Sequence, residues 1–233
     1  MVFDLFGTLV DAPSGPERAR LASGLECALG VARGRAREAL SASWRARHEG
    51  ALETVPDIAR DLAGRCGARG PDLDQAVAVL REHARRRLEA ADSVLGVLGG
   101  LRRRGVPVAV LSDAAAETAE AWPVCALSGL VDAVFFSCRE GAVKPSPVLY
   151  MRVLAALGVP ADRVLYVGDG GGDELAGARR AGMTAVGVPC RGGVSAVAYG
   201  VRAWSGACVG GMEEVPGLVF GGVLPPVRVR PGA

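Results

Sequence analysis

From Asp92 onward, short apolar runs rich in β-branched residues alternate with stretches of helical periodicity. That alternation restricts the fold more than any other feature of the chain. The apolar runs cover 106–111, 133–137, 163–167 and 184–188, and the helical stretches cover 94–104, 114–121, 147–157 and 173–181. Near-continuous apolar strands are buried on both faces, and helical crossovers keep them parallel. The expected architecture is therefore α/β, a Rossmann-like parallel sheet covered by helices. Val2 and Phe3 read as the end of one more strand, closed by Asp4 and followed by the turn Gly7-Thr8.

The first part of the chain has a different character. Ala/Arg/Leu/Glu stretches at helical spacing run through 17–29, 34–48, 55–66 and 73–90, with Pro13, Pro16, Pro56 and Pro71 near the expected helix starts. No strand-like run interrupts them. The expected organisation is a core of residues 1–12 and 92–222, an inserted all-helical cap of residues 13–91, and a flexible tail of residues 223–233. A length of 233 residues with half of them apolar suffices for such a core.

Composition also narrows the function. The net charge is +2, and no basic block interleaves with aromatics, so nucleic acid is not an expected partner. No run approaches the roughly 18–20 apolar residues that span a bilayer, and none reads as a signal peptide. Six scattered cysteines without a CxxC pair read as reduced thiols in a cytoplasmic protein. Of 27 basic residues, 26 are arginine and one, Lys144, is lysine. Arginine cannot replace lysine where a compact ammonium is needed, so the position of Lys144 is informative.

Three predicted strands end in polar residues: Asp4, Ser112 and the pair Gly168-Asp169. Ligands of an open parallel sheet bind beyond the carboxyl ends of its strands, which would bring these three together. The glycine-rich loop Gly170–Gly172 follows, then Asp173, four residues beyond Asp169. Clustered carboxylates repel unless a cation intervenes, and oxygen-only ligands suit Mg²⁺, held by one or two carboxylates and a substrate phosphate. Lys144, in the turn before a helix, could neutralise part of such a site.

In these residues the chain resembles the haloacid dehalogenase superfamily of hydrolases. FDLFGTL (3–9) is similar to its first motif, VAVLSD (108–113) to its second, VKPSPVLY (143–150) to its third and YVGDGGGDELAGARRAGM (166–183) to its fourth. The helical stretch falls where that family places a type-one cap over small substrates. The resemblance implies Asp4 as nucleophile with Thr8 in support. It also implies that Ser112, Lys144 and backbone N–H groups near Leu5 and Phe6 bind the transferring group. Mg²⁺ would be held by Asp4, Asp169 and the backbone carbonyl of Phe6, with Asp173 ordering its water shell or Lys144. The implied substrate is a small phosphorylated metabolite, cleaved through an aspartyl intermediate.

Phe6 departs from the phosphatase pattern, which has a second Asp two residues after the nucleophile. That acid protonates the leaving oxygen, and phenylalanine cannot. The family's 2-haloacid dehalogenases are also non-acidic there, but they lack the GD step of the fourth motif and need an arginine for the substrate. Arg45, Arg47 and Arg60 are candidates for that role, and Asp113 and Asp11 for a substitute acid. A phosphatase-type hydrolase is the first reading, a 2-haloacid dehalogenase the second, and a degenerate or repurposed non-hydrolytic member the third. His48 and His83 are expected on the surface rather than against the substrate, Trp44 in packing or at the substrate mouth, and Trp122 and Trp204 in packing roles.

Overall fold

The computed structural model describes residues 1–192 and 204–220; the tail assigned to residues 223–233 lies outside them. Strands β1 (Val2–Phe3), β2 (Ala109–Ser112), β3 (Ala133–Phe136), β4 (Leu165–Gly168) and β5 (Thr184–Gly187) form one sheet in the order β3-β2-β1-β4-β5. Every pairing is parallel. The central strand is the shortest. Val2 lies opposite Ala109 and Tyr166, and Phe3 opposite Val110 and Val167. The Ala109 N–H donates to the Met1 carbonyl at 2.8 Å, and the Asp4 N–H donates to the Val167 carbonyl at 2.9 Å. These bonds continue the ladder to the residue at the strand end.

Side chains alternate across the sheet. Phe3, Val110, Val167 and Val186 join the cluster that contains Val94, Leu98 and Leu101 of α6 (Asp92–Arg103). Val2, Ala109, Leu111, Tyr166 and Ala185 join the opposite cluster, with residues of α9 (Pro147–Leu157) and α10 (Glu174–Arg180). Shorter helices α7 (Ala116–Ala121), α8 (Ser137–Glu140) and α11 (Val215–Phe220) complete the surround.

Between β1 and α6 the chain is helical: α1 (Gly15–Leu29), α2 (Arg35–Ala42), α3 (Trp44–His48), α4 (Val55–Cys66) and α5 (Leu73–Arg87). Side chains satisfy the free N–H groups at several starts. Ser14 and Glu17 form a reciprocal box, Thr54 accepts from the Asp57 N–H, and Asp72 accepts from the Gln75 N–H. This segment has its own core, in which Leu25, Ile58, Leu62 and Leu80 are fully buried, each stabilising by roughly 1.5–3 kcal/mol. Ala115 and Ala116, at the start of α7, join the same cluster and tie it to the sheet side.

Two of the boundaries that differ from the sequence expectation have a direct physical reason. β2 starts at Ala109 rather than at 106, because Pro107 has no N–H to give the ladder. The helix expected over 34–48 breaks at Ser43. There Arg47 donates to the Ser43 hydroxyl at 3.1 Å and to the Leu40 carbonyl at 2.8 Å, offering that carbonyl a partner outside the helix.

Candidate active site

Asp4 follows the central strand, Asp169 follows its neighbour β4, and Ser112 ends its other neighbour β2. The strand order changes direction beside β1, so all three face one crevice. Asp4 is buried. Its Oδ2 accepts from the Thr8 hydroxyl at 2.9 Å, and its Oδ1 accepts from the Lys144 ammonium at 2.6 Å. The single lysine thus touches the acid at the central strand end, although 140 residues separate them.

Lys144 has a second carboxylate partner, Glu174, also at 2.6 Å. Sequence reasoning missed Glu174 and named its neighbour Asp173. The backbone accounts for the difference. Gly172 and Asp173 both adopt left-handed conformations, with φ of 60° and 54°, and α10 begins only at Glu174. Glu174 is fully buried. Its Oε2 accepts from the Tyr166 hydroxyl at 2.9 Å, its Oε1 accepts from the Gly170 N–H at 3.0 Å, and its carbonyl accepts from the Tyr150 hydroxyl at 3.0 Å. Asp173 instead lines the cavity over the strand ends. Further along α10, the missing side chain of Gly177 leaves room for the Tyr150 hydroxyl that holds the Glu174 carbonyl.

The electrostatics follow from this packing. Burial, opposed by Lys144, raises the Asp4 carboxyl above its ordinary range, and Asp169 adds to the rise. Burial and then Asp4 push Glu174 up to about 8. Burial alone would lower Lys144, but Asp4, Glu174 and Asp113 around it hold it well above its usual value. Asp113 accepts from the Lys144 N–H at 2.9 Å, lines the cavity, and is pushed by burial up to about 6.

Two polar atoms in this group are buried without a hydrogen-bond partner: the Ser112 hydroxyl and Asp169 Oδ2. The other Asp169 oxygen accepts from the Gly171 N–H at 2.9 Å. A side chain at residue 7 would start 2.4 Å from Asp169 Oδ2, so only glycine, here at φ 90°, permits that approach. Carboxylate oxygens of Asp4, Asp169 and Glu174 lie within 4.8 Å of one another. Glu174 is already saturated by Lys144, Tyr166 and Gly170. Asp4 and the unpartnered oxygen of Asp169 therefore fit a divalent cation best.

The strand ends form one wall of a cavity of about 1090 Å³, and the helical segment forms the other. Phe6 lines it, while the Leu5 side chain is buried in the core and offers a ligand only its backbone. Of the arginines singled out from sequence, Arg60 is exposed and paired with Asp57 at 2.7 Å. Arg45 is an exposed cavity residue, and Arg47 is buried against Glu117 at 3.8 Å. Sequence reasoning missed Arg18 and Arg87, both of which line the cavity. The Arg87 guanidinium lies 4.0 Å from the centre of the Phe6 ring.

The histidines also depart from expectation. His48 and His83 are half-buried and face the cavity rather than the surface, and burial lowers them to about 3 and about 4. Trp44 stacks on His48, with ring centres 4.4 Å apart, and lines the same space. Asp11 is exposed near Arg191 and is not among the cavity residues. Trp122 packs edge-on against Phe136 in the core, as expected.

The family model for haloacid dehalogenase-like hydrolases matches residues 1–182. Among solved structures, the chain is similar to a HAD family enzyme from Bacteroides thetaiotaomicron in complex with magnesium and inorganic phosphate. The TM-score is 0.64 at 16% identity, covering 81% of this chain and 93% of that one. It is also similar to an L-2-haloacid dehalogenase, with TM-score 0.59 and 25% identity over 94% of this chain and 96% of that one. An L-2-haloacid dehalogenase from Xanthobacter autotrophicus gives TM-score 0.61 and 22% identity over 94% and 97%. No curated protein matches the chain in sequence.

Proposed function

Because the chain belongs to the haloacid dehalogenase-like hydrolases, we propose that it is a metal-dependent phosphatase-type enzyme acting on a small phosphorylated metabolite. The observation that carries this reading is Asp169 Oδ2, a buried carboxylate oxygen without a partner beside a second buried carboxylate, Asp4. Two acids held together in this way are stabilised by a cation between them. A site for halide chemistry alone has no use for the second acid.

In this reading Asp4, Asp169 and the Phe6 carbonyl would hold Mg²⁺, with Asp173 at its water shell, and the bound ion would neutralise negative charge on the nucleophile and the phosphate. Thr8 and Lys144 each hold one oxygen of Asp4 and fix the orientation of its carboxylate. The carboxylate attacks phosphorus, the bond to the leaving oxygen breaks, and water then cleaves the aspartyl phosphate to release phosphate and regenerate Asp4. Lys144 and the unpartnered Ser112 hydroxyl bind the phosphoryl oxygens.

The leaving oxygen needs a proton unless it is already a stable anion. Phe6 cannot supply one. The substrate is therefore an acyl phosphate or a similarly good leaving group, or Asp113 acts as the acid. Asp113 lines the cavity, and its carboxyl at about 6 is in the range for proton transfer near neutral pH.

A second reading, a 2-haloacid dehalogenase, is favoured by the aromatic Phe6 and by the arginine stacked on it. Halide leaves without a proton. A panel of acyl phosphates, phosphate esters and short 2-haloacids, assayed with and without Mg²⁺, separates the two. The expected outcome is phosphate release that stops with EDTA and falls by about 10⁴-fold or more in Asp4→Asn. Halide release indifferent to EDTA would establish the second reading in its place.

A further inference from the structure

Outside the reacting cluster, two arginines that line the cavity carry buried polar atoms without a partner. Arg18 of α1 and Arg87 of α5 come from helices that pack side by side, and each has a terminal guanidinium nitrogen buried without a hydrogen-bond partner. A buried donor left unpaired is costly, and a cation more so. Moreover, the two cations are near enough to disfavour one another. Burial, reinforced by Arg18, brings Arg87 down to about 10 against opposing Glu17 and Glu117.

The surrounding groups leave the deficit in place. Glu17 is engaged in the capping box with Ser14, and Glu117 is paired with Arg47. One oxygen of Glu117 is itself buried and unpartnered, yet neither arginine is within hydrogen-bond reach of it. His83 is a weak base here, with burial as the first cause. Phe6 backs the Arg87 guanidinium with its ring face, holding the cation beside the residue pair that follows the nucleophile.

We propose that Arg18 and Arg87 form a receptor for a second anionic group of the substrate, most suitably a carboxylate, at the end remote from the bond that Asp4 breaks. Guanidinium donors match the two oxygens of a carboxylate, and such charge-assisted bonds strengthen where water is scarce. The substrate class is then a phosphate ester or acyl phosphate that also carries a carboxylate. A cavity of about 1090 Å³ has room for both ends. This inference rests on the phosphatase reading and deepens it. It also gives Phe6 a role: the ring that replaces the usual acid seats the cation that selects the substrate.

The test compares 4-carboxyphenyl phosphate with its neutral counterpart 4-carbamoylphenyl phosphate in the presence of Mg²⁺, for the intact protein and for Arg18→Met, Arg87→Met and Arg87→Lys. The expected result is a kcat/KM preference of about tenfold or more for the carboxylate, carried mainly by KM. Both methionine variants should bring the ratio to within about twofold of unity, and lysine at residue 87 should restore part of it. A ratio near unity in the intact protein, or a preference untouched by the methionine variants, overturns the proposal. If neither ester is cleaved, the phosphatase reading fails, and thermal shifts with millimolar glutarate and glutaramide still decide the anion site. Stabilisation by glutarate alone, lost in Arg18→Met, upholds it; equal effects of the two compounds reject it.

Discussion

The two walls of the cavity solve different problems with different materials. On the sheet side, charge is concentrated and the two carboxylates around the lysine are fully partnered: Lys144 bridges Asp4 and Glu174 at 2.6 Å each, Tyr166 shares its Glu174 oxygen, and Thr8 and Gly170 hold the other two, leaving the Ser112 hydroxyl and one Asp169 oxygen for a ligand. On the helical side, guanidinium groups carry unpartnered donors, and imidazole and indole rings stack beside them. Strand ends are fixed by a hydrogen-bonded ladder, so they can place reacting atoms to a fraction of an ångström. Helix faces joined by loops tolerate change, which suits a surface that distinguishes one substrate from another. Under the proposed function, chemistry belongs to one wall and selection to the other.

The strongest way to break that contrast is to disturb the partnered wall. Lys144→Arg conserves charge but replaces a point donor with a planar fork too large for the space between Asp4 and Glu174. We expect kcat to fall by about 10²–10³-fold, the scale of losing one preorganised donor at a reacting group. Lys144→Met should in addition destabilise the fold by about 3–5 kcal/mol, because it leaves two carboxylates buried without their cation. Urea denaturation with kcat measured in parallel checks both. Near-normal turnover in the arginine variant would mean that the sheet wall is as tolerant as the helical one.

A smaller effect is expected where the walls meet. Phe6→Asp returns an acid to the position where phosphatases of this family have one, yet the new carboxylate would lie beneath Arg87. An adjacent guanidinium favours the ionised carboxylate, which cannot donate a proton. The single substitution should therefore change hydrolysis of an alkyl phosphate by less than about tenfold. Phe6→Asp combined with Arg87→Met should raise it by about 10²-fold, within the usual range for general acid catalysis. Equal gains in both variants would show that Arg87 exerts no hold on that position.

How far the sequence disclosed each wall follows the same division. Asp4, Ser112 and Asp169 were legible because a strand end is marked by a change from apolar to polar, and a parallel sheet gathers such ends. Lys144 stood out as the only lysine. Glu174 did not, because four-residue spacing from Asp169 pointed to Asp173 and the two left-handed residues before α10 shift the register by one. The helical wall was nearly opaque, since arginines abound there. Helical periodicity nevertheless marks two of them. Arg87 lies seven residues after the buried Leu80 and three after Ala84, and Arg18 lies four before Ala22 and seven before Leu25. Each extends a buried stripe, whereas Arg85 and Arg86 are exposed.

The smallest predicted effect concerns the histidines of the helical wall and has a definite sign. Burial holds His48 at about 3 and His83 at about 4, below the ordinary 6.5. Above that ordinary value neither the folded nor the unfolded chain carries the proton, and their contribution to stability is complete. As the pH falls through 6.5 toward 4, the unfolded chain takes up protons that the folded chain refuses, so this contribution is progressively lost. Asp113, raised to about 6, acts in the opposite direction, since it is the folded chain that holds its proton between pH 4 and 6. Total stability is therefore a poor readout, and the difference between variants is the useful one. His48→Gln cannot titrate, so its urea stability relative to the intact protein should improve by about 1–2 kcal/mol between pH 7 and pH 4.5, discounted from the full shift for a cavity open to water. If the difference is constant with pH, His48 is already solvated and charged in acid, and the helical wall is wetter than its packing implies.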